Sequence, residues 1–116
     1  HTVIARRRPG DPVSQRRQMG ARSYYVYILA SRIGGTLYIG VTANLPARVH
    51  QHREGRGSDF CARYGVKTLV YAERHDDIRD AIAREKAMEK WNRQWKLKLI
   101  RRHNPDWRDL YLELNA

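Results

Sequence analysis

Tyr24-Tyr25-Val26-Tyr27-Ile28-Leu29-Ala30, then Ser31 to Gly35, then Thr36-Leu37-Tyr38-Ile39-Gly40-Val41, is the stretch that decides the fold. The first and last segments are rich in aromatic and β-branched residues, the composition of strands. Gly34 and Gly35 supply turn chemistry between them, since glycine tolerates positive φ. The pair reads as a β-hairpin. If Ala30 pairs with Gly35 across a four-residue loop, Tyr27 opposes Tyr38 and both phenols share one face. A slip of one residue would separate them onto opposite faces.

Working outward, Asn44 caps a helix with Pro46 in its first turn, running to about Glu54. Gly55-Arg56-Gly57-Ser58 ends it, and residues 59–66 read as a loop or short irregular segment. Lys67 to Glu73 is a third strand. Asp76 or Asp77 caps a helix reaching about Trp91, and a further helix from about Arg93 to Arg102 stops at Asn104-Pro105. Asp106 is placed as the cap of a last helical piece through Tyr111. The order β-β-α-β-α-α predicts an α+β domain: a small three-stranded antiparallel sheet flanked by helices.

The chain has 116 residues, the size of one domain with a modest core. It has no apolar run long enough to span a bilayer. One cysteine, Cys61, rules out an internal disulfide and suits a reducing, cytoplasmic setting. The formal net charge is +11. Residues 1–22 hold six arginines against one aspartate and no hydrophobic period, so they read as a basic, disordered tail. The remaining +6 makes the folded part basic by itself, which favours a polyanion, nucleic acid first, over a membrane surface.

Three positions on the predicted helices carry chemistry. Arg48 and His52 are four apart, hence on one face. An arginine grips phosphate with paired hydrogen bonds, and a histidine bonds a phenol or relays a proton. Glu85 falls on the apolar stripe of its helix when 100° per residue is counted from Ile78, and Glu89 falls beside it. A carboxylate facing a core must meet a cation or a donor, so a metal and an ion pair are equally open readings. Arg53, Arg56 and Arg63, around the Gly55–Ser58 turn, are candidate phosphate contacts. Cys61 reads as a small half-buried hydrophobe, and Trp91, Trp95 and Trp107 as packing residues that can secondarily stack a base.

Tyr25-Val26-Tyr27, Tyr38-Ile39-Gly40, Arg48, His52 and Glu85, in this order, resemble the GIY-YIG nuclease superfamily. The likeness spans about residues 23–112, leaving 1–22 as tail and 113–116 as the C-terminal end. It looks closest to the small stand-alone bacterial members, which resemble the N-terminal nuclease domain of the excision-repair incision enzyme. Those members share stretches like Arg63-Tyr64-Gly65-Val66, Ala83-Arg84-Glu85-Lys86 and Asn104-Pro105-Asp106-Trp107.

The resemblance implies an endonuclease that hydrolyses DNA phosphodiester bonds with one divalent metal, Mg²⁺ or Mn²⁺, in DNA repair or recombination. It implies catalytic roles for Tyr27, Tyr38, Arg48, His52 and Glu85, with Glu85 as the metal ligand and Gly40 as a structural motif residue. Tyr27 is expected to be the general base. Larger members carry an asparagine twelve to fifteen residues beyond the glutamate. Here positions 97–100 are Leu97, Lys98, Leu99 and Ile100, and Asn92 and Asn104 are the nearest asparagines. The alternative is a catalytically inactive nucleic-acid-binding module that keeps the fold.

Overall fold

The structure is a computed structural model that describes residues 4–6 and 23–114. Its centre is strand β2 (Tyr24–Ala30), paired antiparallel with β3 (Leu37–Thr42) on one side and with β4 (Thr68–His75) on the other. Val26 to Ala30 are buried on both faces, as a strand with neighbours on both edges and helices above and below requires. The expected three-stranded antiparallel sheet is therefore present. The segment expected to be a disordered tail adds one element to it: β1 (Ile4–Arg6) lies parallel to β4, with Ile4 opposite Ala72. The strand order is β1-β4-β2-β3. The rest of 1–22, and residues 115 and 116, lie outside the described residues.

The hairpin register corrects the expected one. Ala30 pairs with Leu37, Tyr27 with Gly40 and Leu29 with Tyr38. The loop does have four residues, but they are Arg32 to Gly35 rather than Ser31 to Gly34. Ser31 and Thr36 close it through Ser31 N–H to Thr36 O at 3.0 Å and Thr36 N–H to Ser31 Oγ at 2.9 Å. The register thus moves by two residues. With a side-chain period of two, the faces are unchanged. Tyr27 and Tyr38 share a face as diagonal neighbours instead of direct partners.

Helix α1 (Leu45–Arg53) is capped by Asn44, whose side chain accepts from Ala47 N, and starts with Pro46 in its first turn. It buries Leu45, Val49 and His52, spaced four and three apart along one line. Residues expected as a loop form a short helix, α2 (Asp59–Tyr64), capped by Ser58 and closed by Gly65 at φ 64°. Helix α3 (Ile78–Lys90) begins at Asp77 and α4 (Arg93–His103) at Asn92. A 3-10 turn, Leu110–Glu113, follows; its cap is Asp109 rather than Asp106.

Two cores sit on the two faces of the sheet. Val26, Ile28, Tyr71, Ala81, Met88 and Ile100 belong to the α3–α4 side. Tyr27, Leu29, Leu45, Val49, Cys61 and Leu110 belong to the α1–α2 side. A bulge at β4 leaves Val70 as an extra residue between the partners of Ile28 and Leu29. Its carbonyl is satisfied by the Asn104 side-chain amide at 3.1 Å. Trp107 anchors the end of the chain as expected, buried in the α3–α4 core.

Candidate active site

The α1–α2 face of the hairpin carries the tyrosines. The Tyr27 ring lies over Gly40 of the facing strand, and a Cβ built on Gly40 would overlap the Tyr27 hydroxyl and ring. Gly40 is thus glycine because the phenol occupies the space of its side chain. Tyr27 Oη is 3.0 Å from His52 Nε2, both residues being almost wholly buried at 1% and 0% exposure. Tyr38 completes a triangle: its ring centroid is 6.4 Å from Tyr27 and 5.2 Å from His52. Unlike Tyr27 it is half-buried, so it is the phenol that faces outward.

His52 occupies the last position of the buried line of α1. Its other ring nitrogen, Nδ1, is buried without a hydrogen-bond partner among the described residues. The Gly55–Ser58 turn packs over it: a Cβ on Gly57 would lie 2.6 Å from Nδ1. Glycine at 57 lets the backbone close over the imidazole.

Electrostatics link the remaining residues to this triangle. Burial pushes the Tyr27 phenol well above its ordinary value, helped by Tyr38 and Glu85 and opposed by Arg48. Burial also raises the Tyr38 phenol, with Arg48 opposing and Glu85 adding to the rise. Arg48 and Glu85 are therefore both close enough to act on both phenols. Burial, then the neighbouring Arg48 charge, lowers the His52 pKa, so His52 is neutral at pH 7. Arg48 itself is half-buried and has no carboxylate partner among the described residues.

Glu85 corrects the helical-wheel placement. The buried line of α3 runs through Ala81 and Met88, while Ile78 and Ile82 are exposed. The helix is turned so that Glu85 reaches the margin, half-buried, and Glu89 is exposed. Desolvation, a hydrogen bond with Glu89 and its charge together raise the Glu85 pKa. Two neighbouring carboxylates whose charges repel, one partly desolvated, are oxygen donors suited to a hard divalent cation. They fit a metal site with few protein ligands. Among the described residues no group of three or more His, Cys, Asp or Glu converges as a closed metal cage.

The arginine candidates differ in how free they are. Arg53 donates to Asp109 Oδ2 at 2.7 Å and stacks over Tyr111 at 4.8 Å, so its charge is compensated. Arg56 pairs with Glu54 on the surface. Arg63 is exposed and has no ion pair among the described residues. Both asparagine candidates are engaged structurally: Asn92 caps α4, and buried Asn104 bonds Val70 O, Arg108 O and Arg108 N. Cys61 is fully buried rather than half-buried. A groove of about 270 Å³ lined by Trp91, Trp95, Lys98, Leu99 and Arg102 shares no residue with the tyrosine triangle.

Comparison with known proteins follows the same residues. The family model described as the GIY-YIG catalytic domain matches residues 23–98, which hold every member of the triangle together with Arg48 and Glu85. The chain belongs to the GIY-YIG family. It is 35% identical over 77 residues to the UPF0213 protein of Staphylococcus haemolyticus, covering 66% of this chain and 93% of that protein. It is 34% identical over 79 residues to a UPF0213 protein of Staphylococcus aureus, covering 68% and 95%. No solved structure matches it. The GIY-YIG domain identifies a nuclease fold, and no helix among the described residues is long and apolar enough to cross a membrane.

Sequence reasoning missed three features of this neighbourhood. Phe60 lies on α2, stacked on Tyr38 at 6.4 Å, where a loop was expected. Gly57 has a packing role that its Gly-rich setting disguised as flexibility. Arg84, next to Glu85, turns inward to chelate Glu73 of β4 at 2.8 and 3.2 Å. The only available signal was that Phe60 is the single phenylalanine of the chain.

Proposed function

We propose that this protein is an endonuclease that hydrolyses DNA phosphodiester bonds with one divalent metal, Mg²⁺ or Mn²⁺. The observation that carries this reading is the 3.0 Å contact of Tyr27 Oη with a neutral, buried His52. A phenol whose pKa is raised by burial is a poor reservoir of tyrosinate. A relay avoids that state. The attacking water gives a proton to the Tyr27 oxygen as Tyr27 gives its own to His52 Nε2. Neutral His52, with its ring proton on Nδ1, is the acceptor this step needs.

Tyr38, the outward phenol, orients the water. The Arg48 guanidinium, unpaired among the described residues, neutralises the phosphoryl oxygens as charge builds on them. Glu85, seconded by Glu89, would hold the metal, which when bound polarises the phosphate and stabilises the leaving oxygen. Arg56 and Arg63 contact the backbone of the nucleic acid, and Arg53 supports them from its bond to Asp109. A role in DNA repair or recombination, in the cytoplasm, is consistent with this chemistry.

A second reading, binding without turnover, is favoured by one observation: both nearby asparagines are committed to structural hydrogen bonds. A Mg²⁺ and Mn²⁺ series on single-stranded, duplex, flapped and branched DNA separates the two. The nuclease reading expects metal-dependent nicking that Glu85→Ala abolishes while DNA binding is retained. Equal nicking by Glu85→Ala would refute the metal assignment, and binding with no turnover under any metal would refute the nuclease.

A further inference from the structure

The aromatic rings of the candidate site do not stop at Tyr38. Tyr38 stacks on Phe60 at 6.4 Å and 29°, and Phe60 meets Tyr64 at 5.0 Å. A row of rings thus runs from buried Tyr27 through half-buried Tyr38 to Phe60 and Tyr64, which are 43% and 53% exposed. Neither Phe60 nor Tyr64 belongs to either core cluster. Burial therefore does not explain two adjacent aromatic rings at the mouth of the site.

Their surroundings specify what covers them. Of the four basic side chains in residues 53–67, Arg53 and Arg56 are paired with Asp109 and Glu54, while Arg63 lies on the same short helix as both rings, exposed and without an ion pair among the described residues. Exposed ring faces with an unpaired arginine on the same helix suit single-stranded nucleic acid, with bases on the rings and a phosphate on the cation. A base inside a duplex has both faces covered by its neighbours, so only an unpaired or splayed base offers a face to these rings.

We propose that Phe60 and Tyr64 form a stacking platform for an unpaired base next to the scissile phosphate, making single-stranded DNA, or a locally unpaired segment, the preferred substrate of this protein. The proposal rests on the nuclease reading for the position of the phosphate, but the platform itself is a binding claim. The base stacks on the outer end of the ring row, and the sugar-phosphate backbone then passes Tyr38 toward Arg48. Stacking reads the face of a base and not its edge, so the platform selects strand state rather than sequence.

The experiment measures binding by the full-length protein without divalent metal, so that cleavage does not enter. A single-stranded oligodeoxynucleotide carrying one 2-aminopurine is compared with the duplex of the same sequence. The expected result is tighter binding of the single strand, with 2-aminopurine fluorescence quenched on binding. Phe60→Leu with Tyr64→Leu should weaken single-strand binding about tenfold and abolish the quench, while Phe60→Tyr retains both. Tyr64→Leu alone, which touches Phe60 but not Tyr38, guards against a disturbed Tyr38. It should lose part of the affinity with an unchanged melting temperature. Tighter binding of the duplex, or single-strand binding unmoved by the double leucine variant, overturns the platform. Failure of the nuclease reading has a different signature: intact ring-dependent binding with no metal-dependent cleavage.

Discussion

Gly40 and Tyr27 face each other across the hairpin, and the Tyr27 phenol fills the space a Gly40 side chain would take. The hydroxyl that results from this fit is the one that meets His52. Gly40→Ala therefore forces the ring to move or the strands to part. Overpacking of this kind costs about 1–3 kcal/mol. The expected outcome is a lower melting temperature together with a nicking rate reduced at least tenfold, because the displaced phenol loses its contact with His52. Stability by thermal unfolding and rate by single-turnover cleavage are read on the same preparation. A variant as active as the parent would show that the ring position is not needed.

Tyr27→Phe tests the relay more directly. It keeps the ring over Gly40 and removes only the oxygen that receives the proton. Loss of a general base reduces rates by about 10² or more. The change also leaves His52 Nε2 buried without a partner, at a cost of about 1–3 kcal/mol. A modest drop in stability with a large drop in cleavage is the expected pair of results. A rate loss much under 10², with chemistry rate-limiting, would assign the proton to another acceptor.

The acid limb of the pH–rate profile should lie below the ordinary histidine value. Burial and Arg48 lower the His52 pKa from 6.5, so the ring stays neutral and able to accept a proton until the pH falls beneath that value. The same depression makes the fold lose stability as pH falls below 6.5, where the unfolded chain takes up a proton that buried His52 resists. Arg48→Met removes the repelling charge and should move the limb upward while lowering the rate throughout. Single-turnover rates across pH 4.5–8 at saturating metal measure both. A limb above pH 6.5 in the unaltered protein contradicts the relay.

How far the sequence led depended on whether the deciding interaction was local. The caps at Asn44 and Asp77 and the glycine stop after α1 were legible because each acts within a few residues. The face shared by Tyr27 and Tyr38 was legible because alternation survives a shift of two, whereas the register was not. It is set by the Ser31–Thr36 closure, a choice between loops of equal length. The rotation of α3 was hidden for a non-local reason. Exposed Ile78 and Ile82 suggested one buried stripe, but the ion pair of Arg84 with Glu73, and small Ala81, set another. Asn104 was visible as a candidate but not its task, since the Val70 carbonyl it satisfies belongs to a bulge 34 residues away.

The Glu73–Arg84 pair gives a prediction about the helix that carries Glu85. Glu73 is buried and accepts from Tyr71 Oη at 2.6 Å and from Arg84, with His75 Nε2 at 2.7 Å. Burial by itself would push its carboxyl up. The hydrogen bonds from His75, Arg84 and Tyr71 outweigh this and hold it down at about 2, against an ordinary 4.5. A carboxyl depressed by folding contributes stability that is present above its unfolded value and lost as pH falls through its folded value. At 1.36 kcal/mol per unit the contribution is on the order of 3 kcal/mol, lost between about pH 4.5 and 2. Glu73→Gln removes that dependence and leaves the partly exposed Arg84 uncompensated, which should cost about 2–4 kcal/mol at neutral pH. The expected curves therefore converge on acidification, with the parent falling toward the variant. Because Arg84 adjoins Glu85, Glu73→Gln should also weaken metal-dependent cleavage without changing the metal preference. Parallel curves across this pH window would show that the pair does not stabilise the fold in the way its geometry indicates.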